Sequence, residues 1–282
     1  MKRKLLCEIC PFTYALSLHK ERWKRHIKNL FNREPFAITH KETRLPNVVY
    51  SQHSNMIKRG PGIEPLHQQN KADNIRLACS KIDGLLILPG EVFSFWETVG
   101  KTSRRNGFKD GRVIINGRLT AGVGGGLCNL ANSINLVILH SPLTITELHH
   151  HSDALAPDPN GQHVPYSSGT SVNYNFVDYR FRNDTDQAVQ LCTWCEGEEL
   201  MVELRSERPF PHTYRLTEEG HHFLQEADGY YYRISKIYRE TLDRTTGNII
   251  SRELSWNNHS RVMFDFSFIP PEQIIKERPT SL

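Results

Sequence analysis

The chain has no uninterrupted apolar run near the ~20 residues that a membrane-crossing helix takes. It also lacks internal repeats, low-complexity tracts and any recognised nucleic-acid motif. These absences argue against a bundle of spanning helices, a repeat array and a nucleic-acid-binding module. What remains is globular: 38% apolar residues over 282 positions suffice for a packed core, as one large domain or two small ones. The net charge of +4 is modest but uneven. Lys2, Arg3, Lys4, Lys20, Arg22, Lys24, Arg25 and Lys28 crowd the N-terminal segment, which reads first as a solvated basic helix face, with acidic membrane lipids, wall polymers or nucleic acid as its alternative partners. Residues 5–18 imitate the apolar part of a signal peptide, but Glu8 and Pro11 interrupt it and no small-x-small cleavage site precedes His19. The expectation is a retained amphipathic helix and a protein that is cytoplasmic or peripheral to a membrane.

The most informative stretch runs from Ala121 through Gly124, Gly125, Gly126 and Leu127 to Cys128 and Asn129. Leu127, Leu130, Ala131, Ile134, Val137 and Ile138 recur at helical spacing, so a buried helix starts near Cys128 and ends before Pro142. A thiol at a helix amino end meets unpaired N–H groups and the positive end of the macrodipole, which predicts a lowered pKa and a nucleophile. Glycines permit a sharp turn and close approach of a substrate to main-chain N–H groups, so residues 124–128 are expected to hold an oxyanion. The competing reading is an inert cysteine after a glycine-rich turn.

A thiol nucleophile needs a base, and the base an orienting group. His149, His150 and His151 follow a predicted turn and short strand, residues 141–148, that doubles the chain back. In an extended segment His149 and His151 share one face and His150 takes the other. His140 is set apart by about 18 Å of helix. Asp153 and Asp158 are the candidate orienters. A solvated loop and a transition-metal site are the alternatives for the triplet, the metal disfavoured because neighbouring side chains diverge.

Residues 88–95, Gly100, residues 107–111, Asn116-Gly117, the glycine run with Cys128, and His151-Ser152 together resemble the VanW family, over roughly residues 75–205. The resemblance implies a role in the cell wall and glycopeptide resistance. It also implies, by analogy with members acting as cysteine-dependent L,D-transpeptidases, that Cys128 stands at the nucleophile position. It selects His151 as base and places Asn129 and Ser152 with residues 124–127 at the substrate and oxyanion side. Two departures stand out: Asn129 replaces a usual glutamine, and residues 168–172 (Ser168, Gly169, Thr170, Ser171, Val172) carry no carboxylate where the family tends to have an aspartate. The reading is a cysteine acyl-transferase acting on peptidoglycan stem peptides, without a cofactor. Its alternative is a non-catalytic accessory protein that binds wall peptide or antibiotic.

Cys7 with Cys10, and Cys192 with Cys195, each have C-x-x-C spacing. The histidines at 19 and 26 do not fit a zinc finger, and the second pair falls in a predicted strand with its thiols on opposite faces. A composite four-thiolate site and a zinc-stabilised interaction module remain as further alternatives; Cys79 reads as core. The fold class is α+β, mainly antiparallel strands with a few helices. It divides into a basic helical segment 1–45, a core domain 46–206, and a C-terminal β-rich extension 207–282 built on a hairpin. Tyr230, Tyr231, Tyr232, Tyr238 and Trp256 read as the packed face of that sheet rather than as a binding strip.

Overall fold

The computed structural model describes residues 10–31, 34–59, 63–115, 118–151, 153–154 and 169–276. In chain order the elements are α1 (Pro11–Phe31), β1 (Asn47–Asn55), α2 (Pro65–Ile82), β2 (Leu85–Ile87), β3 (Val92–Ser94), α3 (Phe95–Val99), β4 (Asp110–Ile115) and β5 (Arg118–Val123). They continue with α4 (Leu127–Leu139), β6 (Thr144–Glu147), β7 (Asp153–Ala154), β8 (Arg180–Arg182), β9 (Val189–Glu196) and β10 (Glu199–Ser206). Last come β11 (His212–Gln225), β12 (Tyr231–Asp243), β13 (Ile249–Val262) and β14 (Ile274–Lys276). Strand pairing is mostly antiparallel, so the fold is α+β as the sequence indicates. Among the described residues no helix is long and apolar enough to cross a membrane.

The central sheet has the order β1-β10-β9-β2, and α2 and α4 pack on it. Strand β10 alternates strictly, burying Leu200, Val202 and Leu204, as a half-covered strand should. Ile75, Ala78 and Ile82 of α2 and Leu130, Ile134 and Val137 of α4 complete that core. Each such Ile, Leu or Val side chain contributes roughly 1.5–3 kcal/mol by leaving water. Strand β9 is buried on both faces, because the chain before β1 lies behind it: Gln190 bonds the Lys41 carbonyl (2.7 Å) and the Leu45 N–H (2.8 Å). The Gln190 side chain supplies partners that backbone buried away from a sheet would otherwise lack.

A small sheet β3-β8-β6 sits beside this core, and a five-stranded sheet β14-β11-β12-β13-β7 forms the C-terminal part. The C-terminal sheet is joined to the middle of the chain: β7 pairs in parallel with β13, and Arg239 donates from Nε to the Leu139 carbonyl at 2.8 Å.

Several expectations are corrected. The N-terminal helix ends at Phe31, and residues 34–45 run extended, bridging to Val92 and Leu85, rather than continuing as helix. The strand expected over residues 174–182 is confined to Arg180–Arg182, because Asn173 and Val177 close a turn, with Asn175 at φ 46°. The predicted C-terminal hairpin gains a third long strand, β11. Its aromatic residues do not share one face: Tyr232 stacks on His259, Tyr238 lies under Arg252, and Trp256 stacks on His150. The hairpin β4–β5 pairs Ile115 with Arg118 as expected, while its Asn116-Gly117 turn lies outside the described residues.

Helix α1 docks by polar contacts. Arg25 makes a two-pronged ion pair with Glu147 (2.6 and 2.5 Å), Arg22 Nε donates to the Tyr174 carbonyl (3.2 Å), and Asn29 bridges Glu97 (2.6 Å) and Arg180 (2.9 Å). Burial works to raise the Glu147 carboxyl, but Arg25, His149 and the Asp178 N–H together hold it below its ordinary value.

Candidate functional site

Helix α4 begins where the periodicity places it, with Gly126 as its amino cap at φ 101°, a conformation favourable only to glycine. Cys128 occupies the first turn. Its thiol is half-buried and donates to the Val172 carbonyl at 3.7 Å. Residues 169–172 run over this end of the helix: Thr170 N–H donates to Asn132 Oδ1 at 3.2 Å, one turn after Cys128. The stretch that lacks the family's carboxylate is thus the one that covers the thiol.

His151 meets the same segment from the other side. Its N–H donates to the Gly169 carbonyl (3.0 Å), Ser171 N–H donates to the His149 carbonyl (2.7 Å), and a Cβ built on Gly169 would lie 3.3 Å from the His151 ring. Cys128 and His151 therefore converge on residues 169–172, and the thiol donates to a carbonyl, that of Val172. Burial lowers the His151 pKa while the Asp153 charge raises it, with a net fall, so the ring is neutral near pH 7 and able to accept a proton. Ser152, Asp158, Ser168 and Cys7 lie outside the described residues.

The electrostatic expectation for Cys128 is overturned. Burial pushes its thiol above the ordinary value, and the Val172 backbone, its own main chain and the Lys71 ammonium pull it back only in part. Desolvation under residues 169–172 outweighs the helix amino end. Exposed Cys10, whose thiol Thr13 holds below the ordinary value, supplies an internal comparison. Peptide mapping after brief iodoacetamide treatment at pH 7.5 should find Cys10 alkylated well before Cys128. The Cys128 rate should keep rising at a pH above that of a free thiol. Faster labelling at Cys128 would contradict this electrostatic account.

The oxyanion role is corrected for two glycines, because the N–H of Gly124 is engaged by the Lys109 carbonyl (3.0 Å) and that of Gly125 by the Gly122 carbonyl (3.1 Å). These glycines serve close packing instead. A Cβ on Gly125 would stand 2.3 Å from the Gly111 carbonyl carbon, and one on Gly126 2.2 Å from Lys71 Cγ. The first-turn N–H groups of Leu127 and Cys128 have no helical carbonyl one turn back, and the Cys128 main chain hydrogen-bonds its own sulfur. Asn129 N–H bonds Gly126 O (3.0 Å), and its side chain accepts from Ser54 Oγ (2.9 Å), tying α4 to the end of β1.

Sequence reasoning passed over Lys71, Asn74 and Asn132. Lys71 on α2 is the cation beside the thiol. Asn74, fully buried, donates to the carbonyls of Lys109 and Gly125 (both 3.0 Å) and accepts from Lys109 N–H (2.8 Å), fixing the glycine turn. Only tertiary packing brings α2 to this turn, so the sequence carries no local signal for either residue.

His150 lies apart from the thiol. It stacks on Trp256 at 4.0 Å, and its buried Nδ1 has no hydrogen-bond partner among the described residues. Burial first, then His151 and His149, depress its pKa from 6.5 to about 4. The unfolded chain binds this proton below 6.5 and the folded chain does not, so the stability present above pH 6.5 is lost as pH falls toward 4. Thermal unfolding between those pH values should show a falling Tm, and His150→Phe should flatten that slope while keeping the stack.

A cavity of about 250 Å³ lies between the carboxyl end of α4 and β12–β13, lined by Leu139, Pro142, Arg239 and Leu254, and a second of about 20 Å³ lies beside His150. Neither is lined by Cys128 or His151. Among the described residues no group of three or more His, Cys, Asp or Glu is placed to hold a metal ion. Cys79 is core, and Cys195 turns toward it and toward Met56 (3.7 Å), while Cys192 faces away.

Residues 70–205 match the family model described as VanW like protein. The chain is 28% identical over 264 residues to the vancomycin B-type resistance protein VanW of Enterococcus faecalis (strain ATCC 700802 / V583), covering 94% of this chain and 95% of that one. It is 28% identical over 138 residues to the uncharacterized protein YoaR of Bacillus subtilis (strain 168), covering 49% of this chain and 44% of that one. No solved structure matches. The matched stretch, a little under half of the chain, takes in most of α2, the glycine turn, Cys128, His151 and the segment over the thiol, and over it the chain is similar to the VanW family.

Proposed function

We propose that the chain acts in glycopeptide resistance at the cell wall; the enterococcal relative is named as a vancomycin B-type resistance protein. In this reading it is a cysteine acyl-transferase of L,D-transpeptidase type on peptidoglycan stem peptides. The observation that carries it is the convergence of Cys128, in the first turn of α4 beside Lys71, and His151 on residues 169–172. The covering segment shifts to admit a peptide, and neutral His151, oriented by Asp153, takes the thiol proton. The thiolate attacks a peptide carbonyl, forming a C–S bond. The N–H groups of Leu127 and Cys128 hold the oxyanion as the amide C–N bond breaks, and His151-H⁺ returns the proton to the leaving amine. An acceptor amine then displaces the thiol, forming a new amide and restoring Cys128.

The raised thiol pKa and its contact with the Val172 carbonyl favour a second reading, a non-catalytic accessory protein that binds wall peptide or antibiotic. A stem tetrapeptide incubated with glycinamide separates them. The transferase yields the exchanged peptide by mass spectrometry and Cys128→Ala does not. Tetrapeptide binding without exchange, equal in both proteins, favours the accessory.

A further inference from the structure

Helix α1 presents two unlike faces. Arg22, Arg25 and Asn29 point to the body of the protein and make the contacts described above. The other face is apolar and bare: Phe12, Leu16, Trp23, Ile27, Leu30 and Phe31 are all exposed, Phe12 at 75%, Trp23 at 68% and Leu30 at 81%. At 3.6 residues per turn the first five fall within an arc of about 60°, a continuous stripe along the helix. Lys20, Lys24 and Lys28, also exposed, follow along one flank at four-residue spacing. The helix's one acidic residue, Glu21, is paired to Lys24 at 2.7 Å.

We propose that this face of α1 docks in the plane of an anionic phospholipid membrane, its apolar stripe in the acyl boundary and its lysines on the headgroups. An aliphatic stripe with a tryptophan and a flanking lysine row is the pattern of a helix that lies on a bilayer rather than crossing it. The charge selects the occupant, since a second copy of the chain would bring a second lysine row against the first. The polar face stays fixed to the protein, so docking needs no rearrangement of the core. Because Arg22 holds the Tyr174 carbonyl, two residues beyond the Val172 carbonyl that caps Cys128, the docked helix would keep the thiol's cover close to the lipid surface.

The test is co-sedimentation of the full chain with vesicles of phosphatidylcholine alone or mixed with phosphatidylglycerol. The wild type should partition to the anionic vesicles at low salt, weakly to the neutral ones, and less as salt rises. Replacing Lys20, Lys24 and Lys28 by glutamine should lower partitioning roughly 100-fold. Ile27→Glu with Leu30→Glu should abolish it, with circular dichroism unchanged because these side chains touch solvent. The proposal is overturned if the wild type fails to sediment with anionic vesicles at low salt, or if the Ile27/Leu30 variant sediments equally. It is also overturned if that variant only converts a dimer to a monomer in sedimentation velocity, which would assign the face to a second copy.

Discussion

Gly125→Ala is expected to destabilise the protein by about 3 kcal/mol, lowering Tm by about 6–12 °C in a thermal melt. The cost does not come from backbone conformation, since Gly125 is not left-handed. It comes from contact: the new Cβ would stand 2.3 Å from the carbonyl carbon and 2.6 Å from the carbonyl oxygen of Gly111. Both partners are main chain, held by the β4–β5 ladder and by Asn74, so neither can rotate away. Gly229→Ala, where no atom lies within 4 Å of the added Cβ, isolates the cost of a positive φ alone, about 1 kcal/mol. A Gly125→Ala melt within 2 °C of wild type would mean that the turn and hairpin are not packed this closely.

Asp178→Ala carries the second large effect. Asp178 is buried and accepts from Ser94 Oγ (2.6 Å), Tyr179 N–H (2.9 Å), Trp96 N–H (3.2 Å) and Arg180 Nε (2.7 Å). Removing it leaves three donors and a buried guanidinium short of a partner. Breaking a buried pair from one side costs about 3–5 kcal/mol. The lower half of that range is expected, because Glu147 remains 3.7 Å from Arg180 and Asn29 still accepts from it. Urea unfolding measures this. Asp178→Asn, which keeps the shape and one acceptor, should lose less, and equal losses would mean that the charge contributes nothing.

The parts of the fold that the sequence shows plainly are those where one element's pattern decides its structure. The apolar spacing of α4 fixes its start at Leu127 and its face, because that face meets a single continuous core. The alternation of β10 reads directly for the same reason. Strand β9 is misleading at Gln190 and Cys192, where alternation promises exposure and the chain before β1 supplies a second cover. At the site, the glycine run announces a tight turn but not its purpose. Whether a missing Cβ admits a substrate or a neighbouring backbone depends on Gly111, Lys71 and Thr102, which reach the turn from other elements. Local reasoning gives the thiol a helix amino end and hence a low pKa. It omits the segment some forty residues on that meets the sulfur, and the burial that raises the thiol. His151 follows from its motif, whereas its neutrality follows only from burial.

The central claim is that Cys128 accepts an acyl group from a wall peptide once its cover opens. Intact-protein mass spectrometry after mixing with a stem tetrapeptide tests it most directly. The account predicts an added mass equal to the acyl fragment, mapped to Cys128, released by hydroxylamine as a thioester should be, absent in Cys128→Ala and slowed in His151→Gln. An unchanged mass under conditions where the same tetrapeptide demonstrably binds would contradict it.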